Sequence, residues 1–131
     1  MRILLDTHVL MWAVGRSGRL DGVTLDALSD PENDVLFSAV SIWEIAIKFA
    51  LRRPDFAAGP DEFLRGALAI GFVELPVYSA VAARVADLPL IHRDPFDRLL
   101  VAQAIAEPAI LYTGDDRLTG YSELVSRIPA R

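Results

Sequence analysis

Arg2-Ile3-Leu4-Leu5-Asp6-Thr7-His8-Val9-Leu10-Met11-Trp12-Ala13-Val14 reads as a short strand that turns at once into a helix. Residues 2–5 form a brief apolar run, and from 7 to 14 the apolar Val9, Leu10, Ala13 and Val14 share one helical face. An acid, Asp6, stands at the junction. The alternation recurs: Val35 to Phe37 is a short buried strand, followed by a helix over 40–52 that Pro54 stops. Phe72 to Leu75 precedes a helix over Ser79 to Asp87. Asp94-Pro95 opens a helix that lasts until Glu107-Pro108, and Ala109 to Tyr112 is the fourth strand. A helix over 60–71 starts on Pro60, Asp61 and Glu62 and ends on Gly71. A short helix over 23–29 stops before Pro31, and a weaker fifth strand lies near Val125 to Ile128. Strands alternating with helices predict a mostly parallel sheet covered on both faces, an α/β fold built as a three-layer α/β/α sandwich.

A chain of 131 residues is expected to form a single domain, 1–131. With 53% hydrophobic residues and a mean hydropathy of +0.33 it can bury a core, which argues against disorder. No apolar stretch approaches the roughly 20 residues that span a bilayer, and the first residues already read as a strand rather than a signal peptide. The absence of cysteine excludes a disulfide framework and a thiolate metal site. A soluble cytoplasmic protein is expected.

The net charge of -5 counts against a general nucleic-acid binder. The deficit is partly local, because two divalent cations held by a group of acids would cancel four of those negative charges. Basic residues also gather near such a group: Lys48, Arg52 and Arg53 follow Glu44, while Arg93 and Arg98 bracket Asp97. Taken singly, each reads first as part of a solvated helix face.

Four acids sit at or just past the ends of apolar runs. They are Asp6 after Ile3-Leu4-Leu5, Glu44 after Val35-Leu36-Phe37, Asp97 after Leu90-Ile91, and Asp115 after Ala109 to Tyr112. In an open α/β sheet, ligands collect beyond the carboxyl ends of the strands. Acids gathered there repel one another unless a cation holds them, and oxygen-only ligands select Mg²⁺ or Mn²⁺. Each acid has a structural alternative. Asp6 can cap the next helix, although Thr7 can cap instead. Glu44 can pair with Lys48 at i,i+4, but its apolar neighbours Ile42, Trp43, Ile45 and Ile47 predict burial. Asp94-Pro95-Phe96-Asp97 resembles a capping box, with Asp94 as the cap. Thr113-Gly114-Asp115-Asp116 can be a turn, and either acid can be the functional one. Their joint placement favours a common site.

Other constellations fail. No P-loop, zinc spacing or G-x-S-x-G elbow is present, and Asp6-Thr7-His8 lacks the second Asp of an aspartyl-phosphate phosphatase. His8 and His92 read as a helix-face and a loop residue, with His92 in weak reach of a phosphate. Trp12 and Trp43 read as core or interface residues. Leu10, Met11, Trp12 and Phe49 suggest a surface reserved for a partner.

The stretches LLDTHVLMW at 4–12, SAVSIWEIAIK at 38–48, HRDPFDRLLVAQA at 92–104 and LYTGD at 111–115 resemble the PIN-domain ribonucleases, closest to the VapC-like toxins of type II toxin–antitoxin pairs. That resemblance spans nearly the whole chain. It implies that Asp6, Glu44, Asp97 and Asp115 form the metal-binding catalytic set, Glu44 acting through water or on a second ion, with Asp115 favoured over Asp116. It further implies Mg²⁺ or Mn²⁺, RNA cleavage, a homodimer and a small cognate antitoxin. Beside it, Arg93, Arg98 or Lys48 is expected to hold a substrate phosphate, and Thr7, Ser41 or Asp116 to orient a carboxylate. A non-catalytic PIN-like module that binds RNA or a partner, and a metal-dependent phosphatase, are the rival expectations. Specificity is expected from the loops 15–22 and 52–60.

Overall fold

Alternating side chains on the first strand divide the interior into two halves. The computed structural model describes residues 1–129. In it β1 (Arg2–Leu5) sends Ile3 and Leu5 to one face of the sheet and Leu4 to the other. All three are fully buried, as a central parallel strand requires. α1 (Thr7–Gly15) and α2 (Gly22–Ser29) follow, then β2 (Asp34–Ser38) and α3 (Ala39–Ala50). Next come α4 (Pro60–Ile70), β3 (Val73–Leu75), α5 (Ser79–Arg84), α6 (Pro95–Ala106), β4 (Ile110–Thr113) and β5 (Val125–Arg127). Every strand pairing is parallel, in the order β3-β2-β1-β4-β5.

Ile3, Leu5, Val35 and Phe37 pack with Val9 and Leu10 of α1 and Ala67 of α4, while Ala27 and Leu28 of α2 close the same layer. On the opposite face Leu4, Leu36 and Leu111 meet Leu100, Val101 and Ala104 of α6 and Val40 at the start of α3. The expected three-layer arrangement is therefore present, with a sheet that is parallel throughout.

The element boundaries depart from expectation where a local partner intervenes. The helix expected over Ser79–Asp87 is α-helical only to Arg84 and tightens into a 3₁₀ turn over Val85–Asp87. There the Arg98 guanidinium takes the carbonyls of Val85 and Leu88 that a longer helix would have bonded. A 3₁₀ segment over Asp116–Tyr121 also lies where no element was expected. The partner surface expected at Leu10, Met11, Trp12 and Phe49 is mostly interior. Leu10 and Met11 are buried and Trp12 is half-buried, because α1 is wedged between the sheet and α4; only Phe49 is exposed.

Two polar links set the helices that carry acids. Ser38 caps α3 through Val40 N–H and donates to Gln103 Oε1 at 2.5 Å, while Gln103 Nε2 donates to the Pro76 carbonyl. The end of β2, the middle of α6 and the segment after β3 are thereby tied together. α1 and α4 approach so closely that a Cβ built on Gly66 would lie 2.4 Å from Val14 Cγ1.

Gly66→Ala gains about 1 kcal/mol of helix propensity but forces a stiff β-branched neighbour to move, at a cost of about 1–3 kcal/mol. A net loss of up to about 2 kcal/mol is expected in denaturant unfolding. A higher midpoint contradicts this account of the α1–α4 contact.

Candidate functional site

The strand order reverses between β1 and β4: from β1 it runs outward to β2 and β3 on one side, and to β4 and β5 on the other. A crevice opens at the carboxyl ends of strands beside such a reversal. Asp6 directly follows β1, and Asp115 lies two residues beyond β4. They line one cleft of about 820 Å³ together with Glu44, Asp97, Asp94 and Asp116. The four expected acids thus share one cleft.

Each acid is held differently. Asp6 is 6% exposed. Its Oδ1 accepts from Val9 N–H at 2.9 Å, capping α1, and its Oδ2 accepts from the Thr113 hydroxyl at 2.5 Å across the β1–β4 reversal. Cap and site residue are therefore one carboxylate with two oxygens in two roles. Burial raises its pKa above the ordinary value, against the lowering effect of those hydrogen bonds.

Glu44, 3% exposed, projects from the second turn of α3. Its Oε1 accepts from the Thr7 hydroxyl and its Oε2 from Lys48 Nζ, both at 2.5 Å. The Ser41 hydroxyl lies 3.0 Å from that of Thr7. The i,i+4 pair exists, then, but on a buried carboxylate inside the cleft rather than on a wet helix face.

Asp97 sits in the first turn of α6, whose cap is Asp94, accepting from Phe96 N–H and Asp97 N–H. The nearest basic nitrogen to its carboxylate is His92 Nε2, at 3.7 Å. Burial first, then the charges of Asp94, Asp6, Glu44 and Asp115, push its pKa up to about 8. Asp115 lies at the other extreme. The Arg117 guanidinium bonds both of its oxygens, at 3.1 and 2.9 Å, and holds its carboxyl below the usual range. Asp116 is exposed on the cleft rim.

The expected phosphate-binding residues need correction. Arg98 faces away from the cleft and is engaged by the carbonyls of Val85, Leu88 and Pro89 and by Tyr121 Oη. Arg93 is exposed and does not line the cleft, and Lys48 lines it but is paired with Glu44. The cleft instead presents Arg19, Arg117 and Arg127. Those three and Thr113 were not expected as phosphate-side residues, because they stand in a loop, in the 3₁₀ segment or at strand ends where no periodicity marks them, and His92 was expected only in weak reach of a phosphate. Proximity was the available signal: Arg117 stands two residues after Asp115, and His92 two before the Asp94 cap.

As a donor set the cleft suits a hard divalent cation. Glu44 has Lys48 and Asp115 has Arg117, while Asp6 is met by neutral donors and Asp97 is held in its neutral form up to about 8, by burial first and then by the neighbouring carboxylates. Ligand atoms of His92, Asp97 and Asp115 all lie within 4.8 Å of one another, a separation one ion can span.

The family model of the PIN domain matches residues 3–124. No curated protein matches by sequence. Among solved structures, a chain from VapBC2 of Rickettsia felis bound to a DNA fragment from their promoter superposes with a TM-score of 0.74 at 16% identity, covering 98% of this chain and 99% of that one. At that identity the likeness is one of fold.

The acid cluster has a consequence for stability. Asp97 has a folded pKa of about 8 against 3.8 for the free group, so between those values the folded chain retains a proton that the unfolded chain has released. Stability of the metal-free protein should therefore fall as pH rises from about 4 to about 8 and level off above that. Asp97→Asn should flatten the fall and raise the thermal midpoint at pH 8. A metal-free midpoint that climbs through this window contradicts the assignment.

Proposed function

Because the chain belongs to the PIN-domain family, whose members are generally nucleases, we propose that it is a metal-dependent endoribonuclease hydrolysing RNA phosphodiester bonds, the toxin of a toxin–antitoxin pair. The observation that carries this is the convergence of Asp6, Glu44, Asp97 and Asp115 on one cleft where the strand order of a parallel sheet reverses.

In this proposal Asp6, Asp97 and Asp115 hold Mg²⁺ or Mn²⁺, and Glu44 acts through water or on a second ion. When bound, such an ion lowers the pKa of a coordinated water and offsets charge accumulating on the phosphate. The chain's own residues do the rest. Thr113 and Val9 N–H fix the two oxygens of Asp6, and Thr7 and Lys48 fix those of Glu44. Such support keeps ligands aimed without reorganisation when substrate arrives. Arg19, Arg117 and Arg127 put positive charge on the cleft wall, where an RNA backbone needs it despite the acidic total. Arg19 also lies 4.8 Å over the Trp12 ring, and both line the cleft, a stacking surface of the kind single-stranded bases use.

The partners we assign are RNA, a small cognate antitoxin and a second copy of the chain. Trp43, Phe49 and Leu51 on and just after α3 are exposed large hydrophobic residues, which supports a protein-binding face. Among the described residues no helix is long and apolar enough to cross a membrane, which agrees with the cytoplasmic location we propose.

One observation favours a second function. Lys48 and Arg117 already neutralise Glu44 and Asp115, as a non-catalytic module that binds RNA or a protein would allow. Cleavage of a defined set of RNAs in EDTA, Mg²⁺ and Mn²⁺ separates the two. The nuclease predicts metal-dependent products from the wild type, and a fall of at least about 100-fold in both Asp6→Asn and Asp97→Asn with the fold intact. RNA binding without metal-dependent cutting establishes the binding module, and retained cutting in Asp6→Asn refutes the ligand assignment.

A further inference from the structure

His92 lies among the acids without being one of them. Its side chain is 11% exposed, and its Nε2 faces Asp115 Oδ2 at 3.3 Å and Asp97 Oδ2 at 3.7 Å. Distance alone would make it a third ligand of an ion held by those two carboxylates. The other ring nitrogen says otherwise. Nδ1 accepts from the Asp94 backbone N–H at 3.0 Å. A nitrogen that accepts a hydrogen bond carries no proton, so the ring proton resides on Nε2. His92 therefore presents a donor N–H to the acid pair.

The ring is held in place from behind. Tyr121 Oη accepts from His92 N–H at 2.7 Å and donates to the His92 carbonyl at 3.2 Å. It also accepts from Arg98 Nη1 at 3.1 Å. One donation and two acceptances fill the capacity of a hydroxyl. Arg98 in turn fastens the Val85–Pro89 segment through three carbonyls. A continuous path of hydrogen bonds thus runs from the loop before α6, through Arg98 and Tyr121, to His92 and Asp115, with the Asp97 carboxylate 3.7 Å from the same Nε2. The two acids lie on separate elements, since Asp97 belongs to α6 and Asp115 follows β4.

We propose that His92 is a positioning residue for the cation site: its Nε2–H bonds Asp115 Oδ2 at 3.3 Å with Asp97 Oδ2 beside it at 3.7 Å, sets the spacing of the two acids, and is not itself a ligand. This rests on the assignment of those acids as ligands. It also gives Arg98 and Tyr121 a function, as the clamp that fixes the His92 backbone.

The test begins with imidazole ¹⁵N–¹H correlation spectra of the full-length chain, metal-free and saturated with Mg²⁺. The expected result is protonated Nε2 and bare Nδ1 in both states. An Nδ1–H ring, or loss of the Nε2 proton on adding Mg²⁺, overturns the proposal, the second because the ring has become a ligand. Calorimetric Mn²⁺ titrations then compare variants whose fold is checked by circular dichroism. His92→Phe is expected to weaken Mn²⁺ binding about 10–100-fold, and His92→Gln, which keeps an N–H donor, to recover most of it. Tyr121→Phe should weaken binding in the same direction. Wild-type affinity in His92→Phe, or a loss in His92→Gln as deep as in His92→Phe, overturns the positioning role. Failure of the wild type to take up either ion refutes the cation site itself, an outcome distinct from a wrong tautomer.

Discussion

Like charges brought together at the end of a sheet are the constraint around which this molecule is arranged. Ligand atoms of Asp97 and Asp115 lie within 4.8 Å of each other. At such a distance and an effective dielectric near 20, two carboxylates repel by roughly 3 kcal/mol. That is a sizeable share of the roughly 5–15 kcal/mol that holds a domain folded. A sequence with no use for a cation there would gain by losing one of the acids. Instead the repulsion is managed acid by acid. Asp6 is partly satisfied by a cap and a hydroxyl, Glu44 by a lysine one turn on, and Asp115 by an arginine two residues away. Asp97, whose pKa burial already raises, is pushed further by the neighbouring carboxylates.

The fold makes this arrangement possible through its topology rather than through any single contact. Because β1 and β4 are parallel neighbours at the reversal, their carboxyl ends bring Asp6 and Asp115 to the same place from residues far apart in the chain. The register Leu5↔Tyr112 puts Thr113 beside Asp6, so that one hydroxyl joins the two strand ends. Glu44 arrives on the second turn of α3, capped by Ser38, and Asp97 on the first turn of α6, capped by Asp94. The Ser38–Gln103 hydrogen bond ties those helices to each other beneath the site. Core packing and site geometry share elements, which is why the ligands sit on rigid supports.

Most of this layout was legible in the residues. Apolar runs of three or four with helical patterns between them give the parallel sheet, and acids at the run ends mark the crevice. Burial of Glu44 followed from the apolar neighbours around it. What stayed hidden has a common cause: it depends on side-chain direction in segments without a period. Arg98 stands next to Asp97 in the chain, yet one position along a helix is about 100° of rotation, and it points to the carbonyls of the preceding loop. Arg117, Arg127 and Arg19 reach the cleft from loops and strand ends. His92 was unremarkable as a loop histidine until Tyr121, 29 residues away, was seen to grip its backbone. Leu10 and Met11 looked like partner surface because their burial comes from α4 and α3, which nothing local in α1 announces.

The central claim is that the cleft between β1 and β4 holds a divalent cation on Asp6, Asp97 and Asp115. Anomalous diffraction from crystals soaked in Mn²⁺ tests it most directly. The account predicts a peak within coordination distance of those three carboxylates, with Arg117 displaced from Asp115. A cleft that stays empty at saturating Mn²⁺, with the Arg117–Asp115 pair intact, would contradict it.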